Sequence, residues 1–227
     1  MPTKVFTPIR GKRIRVTELD ECSAILATSR KIVTDGFVSV TLTPNIEDAS
    51  EITVTRADGS LCVSERGNPN FKNFGVEVEF CSVNPALLAI VTNAEEYQSA
   101  ANSIGFTVPE GAITGRFGLE LWTGLAGAGC GADGGESGYL LLPAIASGTL
   151  GDITVDGENA ITFTVTNAAT VGGNGWGTGP YNVVMNSATP PIAAKLPTAL
   201  DPLDHLLMLF TGVAVPEVNE QPTLVTA

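Results

Sequence analysis

One histidine, two tryptophans, three tyrosines and four cysteines are all that this 227-residue chain has of the side chains that most often carry chemistry. A lone His205 leaves no second imidazole for a histidine-based metal cluster, and no Ser/His/Asp arrangement is legible around it. The cysteines, Cys22, Cys62, Cys81 and Cys130, are widely spaced and form no Cys-x-x-Cys. That excludes a zinc ribbon and a thioredoxin-like redox pair. Reduced, buried thiols are the expectation. No apolar run approaches the ~20 residues that a membrane span requires. No secretion leader is legible, because GKRIRVTELDE, and not an apolar segment, follows the basic start. No Asn-x-Ser/Thr sequon occurs. The chain therefore reads as soluble and made in the cytosol. Charged residues are only 16%, which disfavours long solvated helices.

What is present points to strands. Hydrophobic residues make up 44%, so a disordered tail is excluded and a sizeable core is expected. Twenty-five glycines and 14 prolines supply many turns, and Val, Thr and Ile are abundant. The clearest stretch is FKNFGVEVEFCSVNPALLAIVTN, from Phe71 to Asn93. Phe74, Val76, Val78 and Phe80 alternate with Gly75, Glu77, Glu79 and Cys81, giving a strand with one apolar and one acidic face. Asn84 then stands at an N-cap and Pro85 at the first helical position, opening a short apolar helix to Val91.

Other strands are expected at Arg30–Thr43 (ended by Pro44), Arg116–Trp122, Tyr139–Ile145 and Tyr181–Met185. Pro143 marks the third of these as an edge. In Arg116–Trp122, Phe117, Leu119 and Leu121 share one face and Gly118, Glu120 and Trp122 the other. Two hairpins are expected. One spans Glu51–Val63 about Asp58-Gly59, and the other joins Ile153–Val155 to Ile161–Thr166 about Asp156–Asn159. Ala94–Thr107 reads as a long polar surface loop with helical tendency, and Asp204–Thr211 as a closing strand or a short helix. Strands do not alternate with helices, so the fold class is mainly β. It is an antiparallel β-sandwich or barrel with one or two short flanking helices, long loops and terminal arms. The organisation expected is a basic extended arm over residues 1–16, a single β domain over 17–211 and a C-terminal tail over 212–227.

Charge is unevenly placed. Residues 1–15 carry Lys4, Arg10, Lys12, Arg13 and Arg15 and no acid, a balance of +5. The rest carries seven Lys/Arg against 24 Asp/Glu, a balance of −17. A basic arm on an acidic body can fold back on itself or reach a neighbouring copy. An acidic body repels phosphate, so specific nucleic-acid binding is not expected.

The remaining motifs have plain structural readings. Gly129–Gly134 matches G-x-G-x-x-G, but a strand follows it, with no helix to offer amides to a phosphate. Gly172–Gly179 fails the same test. Asp152, Asp156 and Glu158 resemble cation ligands, yet a hairpin turn explains Asp156-Gly157 more simply. Glu77, Glu79 and Glu120 lie on strand faces and have the residue type for a glycosidase-like acid/base pair, but nothing in the sequence sets their separation. Their other readings are an ordinary solvated face or the acidic wall of a channel along which nucleic acid slides without sticking.

With these stretches in view, the chain resembles the major tail proteins, the tail-tube subunits of long-tailed phages infecting actinobacteria. The resemblance rests on MPTKVFTPIRGKRIRVTELDECS, IVTDGFVSVTLTPNIED, EITVTRADGSLCV and FKNFGVEVEFCSVNPALLAIVTN. RFGLELWTGLAG, LLPAIASGTLGDITV, WGTGPYNVV and DHLLMLFTG follow in order. It implies a β-sandwich with a flanking helix, assembled in hexameric rings that stack into a hollow tube for the genome. Loops and arms would bridge the rings, and DNA would pass without sequence-specific binding. Other tail proteins would sit at the tube ends. No catalytic residue, cofactor, metal or membrane is implied, and the location implied is the virion tail, assembled in host cytoplasm. On this reading Glu77, Glu79 and Glu120 are candidates for the lumen wall, and Lys4, Arg10, Lys12, Arg13 and Arg15 for contacts between subunits. Two alternatives are a capsid decoration or other head protein, and a carbohydrate-binding β-sandwich with Trp122, Trp176 and Tyr181 as its platform.

Overall fold

The computed structural model describes residues 7–99, 102–125, 136–155, 160–173, 175–219 and 221–225. It is mainly β, built on one large antiparallel sheet with three two-stranded sheets and a single short helix among the described residues. The strands are β1 (Pro8–Leu19), β2 (Arg30–Thr34), β3 (Phe37–Glu47), β4 (Glu51–Thr55), β5 (Leu61–Arg66), β6 (Asn70–Phe80), β7 (Glu95–Ser99) and β8 (Asn102–Thr107). They continue with β9 (Arg116–Leu125), β10 (Ser137–Ala146), β11 (Thr149–Leu150), β12 (Phe163–Thr170), β13 (Val184–Met185), β14 (Ala193–Ala194), β15 (Leu207–Thr211) and β16 (Thr223–Leu224). Helix α1 (Pro85–Val91) lies between β6 and β7.

The large sheet runs β16-β2-β1-β9-β10-β12-β6-β3, with β11 beside β12 and β15 beside β10. β2 and β3 lie near opposite ends of this path, yet only Asp35 and Gly36 join them. Three residue steps span roughly 10 Å at most, so the sheet must curl until its ends approach. Contacts agree. The Phe37 ring on β3 presses against Gly11 on β1, leaving no room there for a Cβ. Cys81 and Ser82, just beyond β6, both donate backbone N–H to the Gly36 carbonyl.

The inside of the curl is the first core. Ile14 and Val16 (β1), Val76, Val78 and Phe80 (β6), Phe117 and Leu119 (β9), Leu142 and Ile145 (β10) and Val165 (β12) are all buried in it. Helix α1 packs into this core. The Asn84 side chain accepts from Ala86 N–H at 2.9 Å, and Thr92 closes the other end with its N–H and hydroxyl on the Leu88 carbonyl. Ala86, Leu87, Leu88, Ile90 and Val91 are buried, so the helix is held by the core rather than by its own seven residues. A second core lies on the opposite face of β1, β9 and β10. It gathers Trp122, Tyr139, Leu141, Trp176, Tyr181, Val183 and Leu196. β9 and β10 are therefore covered on both faces.

Several expectations need correction. Residues 8–16 are not a free arm: β1 pairs with β2 on one side and with β9 on the other. Residues 223–225, within the expected C-terminal tail, also return to the sheet, with β16 pairing to β2 and Val225 buried. Arg30–Thr43 falls in two strands, β2 and β3, near opposite ends of the sheet path, and not in one. Pro44 does not end β3, because β3 is an edge strand and has a free side for a residue without N–H. Pro143 does not mark an edge. β10 is central, and its register with β9 shifts between Leu142 and Ile145, so Pro143 falls where no regular pairing is made. Ala94–Thr107 contains the hairpin β7–β8 rather than a helix-prone loop. The first expected hairpin is present as β4–β5, with Gly59 at φ 83°. The turn of the second, 156–159, lies outside the described residues, though β11 does pair with β12. The cysteines Cys22, Cys62 and Cys81 are free but exposed, and Cys130 lies outside the described residues.

Candidate functional site

Two surfaces and one buried cluster account for the residues singled out by the sequence. The first surface is the outer face of β3, β6 and β12. Alternation along β6 turns Val76, Val78 and Phe80 into the first core and leaves Glu77 exposed and Glu79 half-buried on the other side. Register sets their neighbours: Thr41 lies opposite Glu77, and Ser39 and Thr164 flank Glu79. The face thus carries two carboxylates among hydroxyls. The one basic residue on these three strands, Lys72, sits further out, 3.3 Å from Glu47.

Glu120 is not part of that face. The structure overturns its place as a lumen-wall candidate, since its side chain has no solvent exposure. It lies on the second-core side of β9, directly opposite Arg15 of β1 in the register. Arg15 donates to it twice, from Nε at 2.5 Å and from Nη2 at 2.6 Å, and the Tyr139 hydroxyl donates to Oε1 at 2.6 Å. The Arg15 guanidinium also stacks 3.4 Å above the Tyr181 ring and lies 5.0 Å from Trp122. Thr17 and Tyr181 share a hydroxyl contact of 2.9 Å. Burial by itself lowers the Arg15 pKa, but the charge and hydrogen bonds of Glu120 outweigh it and the net shift is upward. Burial, then Glu120, pushes Tyr139 well above the usual tyrosine range, and burial pushes Tyr181 to about 12. Lys31, 5.1 Å from the Tyr181 ring, is lowered by burial and by the Arg15 charge. A carboxylate held by a bidentate guanidinium and a phenol, shut from solvent, is a structural ion pair and not an acid/base catalyst.

The basic set at the start of the chain divides. Arg15 is spent on Glu120, which removes it from the candidates for contact with another subunit. Arg13 is half-buried, with Nη1 2.6 Å from Asp35. Arg10 and Lys12 are exposed, each at a position where β1 breaks register with β9, and Arg10 has φ 49°. Lys4 lies outside the described residues.

The second surface was only half visible in the sequence. Beyond Gly75 the ladder between β6 and β12 stops, and β6 pairs with β3 alone through Asn45↔Asn73, Ile46↔Phe71 and Glu47↔Asn70. This two-stranded ribbon leads to β4–β5, which among the described residues pair only with each other. Every residue of both strands is exposed. Ile52, Val54, Leu61 and Val63 are all 45–59% exposed, and Val54 lies opposite Val63. The sequence marked this segment as a hairpin, and its apolar face stays open because no third described strand pairs beside it. β7–β8 is similar on a smaller scale, with Tyr97 and Ile104 exposed, and is moored by Glu96 to Arg30 at 2.6 Å.

Other candidates fall away. Trp122, Trp176 and Tyr181 are buried in the second core, so they form no carbohydrate platform. Gly172, Gly173 and Gly175 are tightly packed against neighbouring backbone, and a Cβ on Gly175 would lie 1.9 Å from the Ser23 carbonyl oxygen. Gly129–Gly134, Asp156 and Glu158 lie outside the described residues. Among the described residues no group of three potential metal ligands occurs, and no helix is long and apolar enough to cross a membrane. No protein-family model matches the chain, and no curated protein sequence matches it.

Proposed function

We propose that this chain is a structural subunit of a phage tail tube, assembling with copies of itself into hexameric rings that stack around a DNA conduit. The observation that carries the reading is the ribbon ending in β4–β5. An isolated two-stranded hairpin is marginal in water, and this one exposes an apolar face that no other described residue covers. Such an element is stable once a neighbour packs on it, as subunits of a continuous assembly do. The face bearing Glu77 and Glu79 supports the same reading. Carboxylates among hydroxyls, with no base among them, make a wall that phosphate does not adhere to. Arg10 and Lys12 remain free to meet an acidic surface of another copy, and the resemblance noted in the sequence gives the ring its expected size. In this reading the protein is not an enzyme and needs no cofactor. A head or decoration protein would also be structural, but would not need a face lined by carboxylates.

Negative-stain microscopy and sedimentation of the concentrated full chain test this. Rings or tubes of uniform bore are expected. A chain that remains monomeric at concentrations of about 1 mM sinks the proposal.

A further inference from the structure

Lys31 stands on the second-core side of β2, beside the buried ion pair but not part of it. Its register partners are Thr17 on β1 and Thr223 on β16. Its Nζ lies 5.1 Å from the centre of the Tyr181 ring, and the Arg15 guanidinium lies 3.4 Å from the centre of the same ring. Two cations thus share one aromatic side chain. Arg15 is answered by both oxygens of Glu120, at 2.5 Å and 2.6 Å. Lys31 is half-buried, and among the described residues it makes no ion pair and no hydrogen bond through its side chain.

The neighbouring charges leave this amine on the wrong side of the pair. Glu120 on β9 attracts it, but the carboxylate is already engaged by Arg15 and by the Tyr139 hydroxyl of β10. Arg13 on β1 pairs with Asp35, and Arg30, next to Lys31 in the chain, pairs with Glu18 and Glu96. Thr17 and Thr223 are neutral, and the cover of the second core brings the Tyr181 ring, which the guanidinium already occupies. Burial, then the Arg15 charge, lower the Lys31 pKa against a weaker pull from Glu120. A lysine beside a second cation is uncharged more often than an ordinary one, and the uncharged amine is the nucleophile. Part of the side chain still meets solvent, so a small electrophile can reach it.

We propose that Lys31 is an acylation site, the lysine that takes an acyl group from a small acyl phosphate ahead of Lys12, Lys72 and Lys195. The Nζ lone pair adds to the acyl carbon. The bond from that carbon to the bridging oxygen breaks, phosphate leaves with the electron pair, and the nitrogen gives up a proton to water. The product is a neutral amide, which leaves Arg15 as the one cation against Tyr181 among the described residues. The inference does not rest on the tail-tube reading. The test is acetylation of the dilute full chain by acetyl phosphate across roughly pH 7 to 10, on the acid side of the ordinary lysine pKa, with each lysine followed by peptide mass spectrometry. Near neutral pH Lys31 is expected to react several times faster than Lys12, Lys72 and Lys195, and its rate to level off at a lower pH than theirs. In urea, where Arg15 and Tyr181 no longer face it, the advantage is expected to vanish. Equal rates in the folded chain overturn the site. So does a Lys31 rate that climbs through the same pH range as the others, since exposure alone would produce that. An advantage that persists in urea also overturns it, because it then belongs to the local sequence and not to the packing.

Discussion

At the scale of single residues, the Arg15–Glu120 pair dominates. Both charges are out of water, so the loss of one strands the other. Glu120→Leu or Arg15→Met alone should cost about 3–5 kcal/mol, because an uncompensated buried charge remains. The double variant should recover much of that loss, since Trp122, Tyr139 and Tyr181 already make the surroundings apolar. Chemical denaturation of the three variants measures the coupling, and strictly additive losses would refute it. The tyrosines set an alkaline limit. Tyr181 has a folded value of about 12 against an ordinary 10.0, so its folded form favours the proton. Its contribution to stability is complete below about pH 10 and is lost as pH rises towards about 12. Denaturation midpoints should therefore drop across that window, and less steeply in Tyr181→Phe. A slope equal in both would remove Tyr181 as a cause. The sequence showed that Glu120 shares a face with Trp122. It did not show that Arg15, 105 residues earlier, lies opposite, because strand pairing between distant segments leaves no local pattern.

At the scale of elements, period and turn chemistry were legible where one face meets the core. The β6 strand, the Asn84-capped helix and the Asp58-Gly59 hairpin follow from alternation, capping and a residue at positive φ. Misreadings came where the neighbour decides the role. Pro143 belongs to a central strand because a register shift absorbs it, and Pro44 is tolerated because β3 has an open edge. β7–β8 was missed because Glu, Gln, Ser and Asn dominate it and hide the strand signal. The hairpin β4–β5 gives the test proper to this scale. Replacing residues 51–66 with a short Asn-Gly turn should leave the far-ultraviolet spectrum and the denaturation midpoint nearly unchanged, since neither core uses those residues. The same variant should lose self-association. Cooperative assembly by the shortened chain would show that the hairpin is not the joint. Removing residues 1–15, by contrast, takes away most of β1 and should prevent folding, so it does not isolate the role of Arg10 and Lys12.

At the scale of the whole molecule, the mainly β class was readable from composition and punctuation, and the curl was not. Curling follows from one short connection, Asp35-Gly36, between strands that lie far apart in the sheet order. The double cover of β9 and β10 likewise needs the whole chain. The first core draws its helix from residues 85–91, and the second draws its cover from residues 176–196. This arrangement has a consequence in time. β1 is made first, but its partner β9 appears about a hundred residues later, and the cover of their shared outer face later still. At ~5–20 residues per second a nascent β1–β2 hairpin waits several seconds for β9, with Arg15 still in water. The pairing that closes the molecule is therefore among its least local, and folding is expected to be limited by that search rather than by any single strand. A chain built this way commits its two oldest strands last.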